Sequence, residues 1–200
     1  MWNRAVGSSA SGLLSNPTKM TNGQNTTMTG RGIDIWGNSD SFSYSSVNIP
    51  ETITGRILRL EVYTELGITA SSSSHEWAKF GLMVRESLDA SAKHFSVFLT
   101  PTNGVHVFHR QIQAGLTNTF EGEKDVRGGG WLLIERSGDK FRAFFRADSD
   151  TLYALIGEAT VAMRGSVEAG IALSSHKVDR SETVKFSLFS LEVGVDHVAN

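Results

Sequence analysis

The sequence contains no cysteine, which removes thiol nucleophiles, disulfide staples and cysteine-ligated zinc together. Proline is nearly as scarce, three residues against twenty glycines, so tight turns must be made by glycine and polar residues. No apolar run approaches the roughly 20 residues of a membrane-spanning helix. The N-terminal Met1-Trp2-Asn3-Arg4 lacks the apolar stretch of a secretory signal, as expected of a cytosolic protein or of a mature or excised segment with an added Met. Lysine and arginine number 19 against 21 acidic residues and are scattered singly, so no basic footprint for nucleic acid is present. Helix signals are nearly absent too. The best of them, Asp89-Ala90-Ser91-Ala92, is long enough for one turn only.

What remains is the pattern of an all-β chain. With 40% hydrophobic and 20% charged residues over 200 positions, the composition is that of a globular protein large enough to bury its own core. Phenylalanine supplies 11 of the aromatic residues, which points to ring packing in that core. Ile57 to Tyr63 alternates Leu58, Leu60 and Val62 with Arg59 and Glu61, the period of a half-buried strand. Phe80–Arg85 and Phe95–Leu99 follow, and Pro101-Thr102-Asn103-Gly104 turns the latter into Val105–Arg110. Trp131–Arg136 and Lys140–Arg146 flank Ser137-Gly138-Asp139 as a second hairpin. Strands are also expected over Thr151–Gly157, Val167–Ser174 and Thr183–Val193. Roughly ten to thirteen strands with regular turns indicate a sandwich or barrel. One domain over residues 1–200 is expected, with residues 1–30 either a flexible arm or short edge strands carrying Trp2, Val6, Leu13 and Leu14.

Several strings together resemble a known domain. Gly32-Ile33-Asp34-Ile35-Trp36-Gly37 with Asp40-Ser41-Phe42-Ser43-Tyr44 is similar to its opening "DIWG…D.F.Y". Trp77-Ala78-Lys79-Phe80-Gly81-Leu82-Met83-Val84-Arg85-Glu86-Ser87 is similar to its "WAKAGVMIRES" strand. Lys93-His94, the 101–105 hairpin, Arg110, Trp131-Leu132, Arg136-Ser137-Gly138 and Gly170–His176 follow in order, so the likeness runs from about residue 30 to 193. The resemblance is to the concanavalin A-like lectin and glucanase superfamily, in a branch found in bacterial extracellular, carbohydrate-related proteins and named after a yeast regulator of enolase. It implies a two-sheet antiparallel jelly-roll sandwich. It favours an extracellular setting, as part of a larger or processed protein, over a cytoplasmic one. Structural calcium is common in jelly rolls of this superfamily. Fold does not fix activity, however, and the superfamily holds lectins, sugar-binding modules and glucanases alike.

The residues narrow the choice. Glycoside hydrolysis needs two carboxylates facing across a groove, and no Glu-x-Asp-x-Glu string supplies them; Glu121-Gly122-Glu123 reads as a solvated loop. Gly-x-Ser-x-Gly is missing too. Sugar binding instead wants an aromatic platform beside fixed polar groups. Trp77 with Glu76 and His75, then Arg85, Glu86, His94 and Arg110, are the candidates. Arg85 reads either as a buried pair with Asp34 or Asp40 or as lining the groove, and His94 and His176, weighed as metal ligands, read rather as buried histidines bonded between strands. Trp36 and Trp131 read as core. Asp34, Asn38 and Asp40 offer oxygens for calcium near a turn, although Asx turns explain the same residues without metal. The reading is therefore a non-catalytic domain that binds a glycan or polysaccharide on a sheet face or loop rim. Alternatives are a structural or self-associating homo-oligomeric domain, and a hydrolase drawing on Glu61, Glu86 or Glu135.

Overall fold

Strand-forming residues dominate the chain. In the computed structural model, which describes residues 2–7, 25–51, 57–65, 74–122, 126 and 128–194, they form thirteen strands and almost no helix. In chain order these are β1 (Trp2–Val6), β2 (Thr26–Gly32), β3 (Phe42–Ile49), β4 (Ile57–Glu65), β5 (Lys79–Arg85), β6 (His94–Thr100) and β7 (Gly104–Arg110), then β8 (Asn118–Glu121), β9 (Gly129–Ser137), β10 (Lys140–Ala147), β11 (Ala154–Thr160), β12 (Val167–Ser174) and β13 (Lys177–Gly194). They make a seven-stranded sheet, β1-β3-β12-β5-β6-β7-β8, and a six-stranded sheet, β11-β10-β9-β4-β13-β2. Neighbouring strands run antiparallel throughout. β1 and β2 each close one edge, and Leu13 and Leu14 lie outside the described residues. The architecture is a two-sheet jelly-roll sandwich.

Alternation in β4 is complete. Leu58, Leu60 and Val62 point inward, while Arg59, Glu61 and Tyr63 face solvent. Inward residues of β9 and β10 join them and meet Phe80, Leu82, Val84, Phe95 and Val97 of the other sheet. Phe95 stacks on Phe141 between the sheets at 5.2 Å. Each such side chain stabilises the fold by about 1.5–3 kcal/mol. The hairpin glycines Gly104 and Gly138 adopt φ of 78° and 60°, which only glycine accepts without strain.

β5, β6 and β7 depart from this alternation, being buried at every position. Their outer face is roofed by the segments 33–41, 86–93 and 111–117. Ile35, Phe42, Tyr44, Met83, Phe98 and Phe108 form a second apolar cluster beneath that roof. At one end of this face Arg85, His94 and Arg110 sit side by side across three strands. Asp40 descends onto them from the roof. Its Oδ1 accepts from Arg110 Nη2 at 2.6 Å, and its Oδ2 from Arg110 Nη1 at 2.8 Å and Arg85 Nη1 at 3.2 Å. All of these side chains are fully buried. The remaining guanidinium donors bind roof carbonyls, including Ser87, Ala92, Gly115 and Gly37. A buried guanidinium is tolerable only when its charge and its donors are matched in this way.

His94 completes the row in its neutral form. Burial, then the neighbouring guanidinium charges, push its pKa from 6.5 down to about 3 against the opposing pull of Asp40.

Two outcomes follow from this network. Asp40→Asn keeps the shape but strands two guanidiniums, and should cost about 3–5 kcal/mol in urea unfolding; a loss under 1 kcal/mol would refute the pairing as the anchor of the roof. The unfolded chain binds a proton at His94 near pH 6.5 and the folded chain does not until about pH 3. Stability should therefore fall as pH drops through that window, by at most about 1.4 kcal/mol per pH unit from this group. His94→Gln should flatten that part of the profile relative to wild type.

Candidate functional site

The opposite end of the same sheet face is open. Side-chain parity places Lys79 with Gly81, Met83 and Arg85 on the outer face of β5, and His106 and Phe108 with Arg110 on that of β7. The roof stops short of this end, and a cavity of about 360 Å³ remains. Lys79, His106 and Phe108 form its floor; Trp36, Trp77, Asp34, His176, Thr119 and Glu121 stand around it.

Trp77 and His176 are set by their local turns, while Thr119 and Glu121 come from β8. Trp77 sits in a tight turn in which Ala78 N donates to the His75 carbonyl at 2.9 Å and Trp77 N to His75 Nδ1 at 3.1 Å. Asn103 of the β6–β7 hairpin ties this turn down by donating to the Glu76 carbonyl at 3.1 Å. Trp77 then packs on His106, ring centroids 5.1 Å apart. Trp36 stands edge-on to Phe108 at 6.0 Å and is 47% exposed. His176 occupies the β12–β13 turn with φ of 57°, an uncommon conformation for a side chain of this size, and stacks on His75 at 4.2 Å.

Charge in the cavity centres on Lys79. Its ammonium pairs with Asp34 and lies 5.1 Å from the Phe108 ring centroid and 5.8 Å from that of Trp77. Burial pushes the lysine pKa down, while the carboxylate of Asp34 pulls it back up. His176 Nδ1 lies 3.4 Å from the same carboxylate oxygen but is not aligned for a hydrogen bond, and burial lowers its pKa as well.

The residues singled out from the sequence divide between this cavity and elsewhere. Trp77 lines it, with Glu76 exposed beside it and His75 behind. Arg85, His94 and Arg110 do not: they are sealed under the roof with every approach taken by protein atoms. The buried-pair reading of Arg85 is the one the structure shows, with Asp40 rather than Asp34 as its partner. Glu86 pairs with Lys93 at 2.9 Å and accepts from the Arg164 amide at 2.9 Å, joining a loop to the β11–β12 connection instead of lining a groove. Glu61 and Glu135 lie on the outer face of the other sheet, bridged by Arg59 at 3.5 Å each. Trp131 is there too, half-buried beneath Arg146 at 4.9 Å rather than in the core. The half-exposed Trp36 likewise corrects a core reading.

The proposed calcium ligands do not converge. Asp40 points down to two arginines, Asp34 turns to Lys79 and His176, and Asn38 is exposed in the turn between them. A divalent cation at Asp40 would meet two fixed positive charges. Among the described residues no group of three histidines, aspartates or glutamates is arranged to hold a metal.

Lys79, His106, Phe108 and Thr119 were not foreseen. The signal existed: once Arg85 is given a face, period-two alternation places Lys79 on it, and hairpin register adds His106 and Phe108.

No family model matches the chain, and no curated protein matches it by sequence. Solved structures do. A functionally unknown protein from Saccharomyces cerevisiae superposes with a TM-score of 0.65 at 13% identity, over 92% of this chain and 94% of that one. The carbohydrate-binding module CBM66 from Bacillus subtilis gives 0.53 at 18% identity, over 86% and 96%. Lectin II from Ulex europaeus gives 0.51 at 10% identity, over 85% and 90%. GH43 hydrolases share the fold as well, this chain spanning about a third of their length. At these identities the likeness is one of fold.

The Lys79–Asp34 pair yields a chemical test. Asp34→Asn leaves a buried ammonium without its counter-ion, so the lysine should deprotonate more readily. Amine-selective labelling at pH 8, read by peptide mass mapping, should rise at Lys79 in the variant; unchanged labelling would show that the pair does not hold the charge.

Proposed function

We propose that this domain binds a carbohydrate, without cleaving it, in the cavity between Trp36 and Trp77. The observation that carries this reading is the combination of two partly exposed indoles with a fixed ring of polar groups. A sugar presents an apolar C–H face and a rim of hydroxyls. Indole faces take the first, and oriented donors and acceptors take the second. Trp36, Trp77 and Phe108 supply the apolar surface, and Lys79, Asp34, His176, Thr119 and Glu121 supply the polar groups. The volume of about 360 Å³ lies toward the small end of ligand pockets, which suits a short stretch of glycan rather than a long chain laid along the sheet.

Binding without cleavage is favoured by the carboxylates. Hydrolysis needs one free acid and one free base or nucleophile facing each other across the bond. Of the two carboxylates lining the cavity, Asp34 is held by Lys79, so among the described residues Glu121 has no free carboxylate facing it. Glu61, Glu86 and Glu135 pair with cations away from the cavity. A lectin and a carbohydrate-binding module of the same fold lend support. Binding should be independent of calcium, since neither Asp34 nor Asp40 is available to the ion.

A glycan array screened with and without chelator provides the test. At least one oligosaccharide should bind, chelator should leave the signal intact, and Trp36→Ala and Trp77→Ala should each weaken binding about tenfold, or roughly 1.4 kcal/mol. Absence of binding to any glycan at millimolar concentration would overturn the proposal, as would binding that both variants leave unchanged.

A further inference from the structure

The cavity has a second property, independent of what fills it. Aromatic faces arranged around a carboxylate form an ammonium site, because ring quadrupoles and the anion attract a cation together and a desolvated setting strengthens both. Phe108, Trp77 and Asp34 make such an arrangement, with Trp36 braced edge-on against Phe108. The site already holds a cation, the ammonium of Lys79, delivered on its own tether from β5.

We propose that Lys79 occupies this ammonium site from within, so that the cavity refuses cationic ligands and takes neutral, hydroxyl-rich ones. As to the ligand it takes, the inference rests on the glycan reading above. The refusal of cations does not.

Three features carry the inference. The lysine side chain is only 3% exposed although it lines the cavity, so its head is the floor and not a mobile rim group. Asp34 is its one hydrogen-bond partner among the described residues, and an ammonium has three donors, so two N–H directions remain for ligand oxygens. A second cation would find the Phe108 and Trp77 faces and the Asp34 carboxylate already taken, and could reach them only by displacing a tethered ammonium. A hydroxyl or an acetamide carbonyl would instead accept from Lys79. Lysine at this position is thus a specificity residue: it converts a cation cage into a donor to neutral oxygens.

Removing the tether should release the cage. Lys79→Met keeps the length of the stem and deletes the charge. Tetramethylammonium chloride is the probe, titrated against sodium chloride at equal ionic strength and followed by calorimetry and thermal melting. Wild type should show no saturable binding. Lys79→Met should bind at least tenfold more tightly than wild type, and Trp77→Ala in that background should abolish the gain. Lys79→Arg, which keeps the charge, should behave as wild type. If Lys79→Met folds poorly because Asp34 is left unpaired, recovery of the cooperative melt by tetramethylammonium and not by sodium supports the cage, and failure to recover overturns it. A folded Lys79→Met that binds tetramethylammonium no better than wild type also overturns it. The two readings separate cleanly. A wild-type chain that binds no glycan, with a Lys79→Met that gains the ammonium, removes the first and keeps the second; the reverse pattern does the opposite.

Discussion

A single carboxylate, Asp40, makes this sandwich possible in the form it takes. Two strands of the seven-stranded sheet, β5 and β7, each bring an arginine to the same end of the outer face, with a neutral histidine between them. Left to solvent, that row would be an ordinary polar edge. Covered by loops, it would be two desolvated cations whose burial costs several kcal/mol each. Asp40 resolves the conflict by meeting both guanidiniums with its two oxygens. The loop carbonyls that satisfy the remaining donors are the same groups that would otherwise be orphaned on burying three loops. The roof and the row thus stabilise each other.

The same device recurs on a smaller scale at the open end, where Lys79 rises from β5 and Asp34 comes down from the roof to meet it. In both places the sheet contributes the cation and the 33–41 loop contributes the anion. The outer face of the six-stranded sheet shows what happens without a roof. There Glu135 pairs across strands with Arg59 and Arg142, and Arg59 also with Glu61 on its own strand, but they stay partly in water, where such pairs are worth little. Geometry alone does not separate the two faces. Exclusion of solvent does, and it turns ordinary cross-strand polar rows into a structural lock at one end and a shaped cavity at the other.

Much of this was legible in the sequence, and the limits have physical reasons. Strands announced by alternation or by a turn, such as Ile57–Glu65 and the hairpins closed by Gly104 and Gly138, fall where they were expected. So does the all-β, two-sheet architecture. What period-two reading misses is which faces are covered, because a strand buried on both sides by loops looks like a strand buried by a second sheet. That is why Trp36 and Trp131 were read as core, Arg110 as groove, and Arg85 as either a buried pair or groove. Asp40 was recognised as a possible partner of Arg85, yet no local pattern says that one carboxylate serves two arginines 25 residues apart in sequence. The cavity itself is assembled from five separate segments, and among its lining residues only Trp77 was marked as a sugar platform, Asp34 being marked for a metal instead.

The 33–41 loop carries one further consequence. It is pinned at Asp34, which bonds its backbone to Ser41 and its side chain to Lys79, and again at Asp40, which holds the arginines and donates its amide to Ala90 at 2.8 Å. Gly37 adds a central fastening through Thr117 and Arg110. Between those pins Trp36, Asn38 and Ser39 are free to change without disturbing any buried charge. The result is a short exposed segment held in a rigid frame, much as recognition loops are carried by an antibody domain. Substitutions along this stretch can reshape the rim of the cavity while the frame that holds it stays intact.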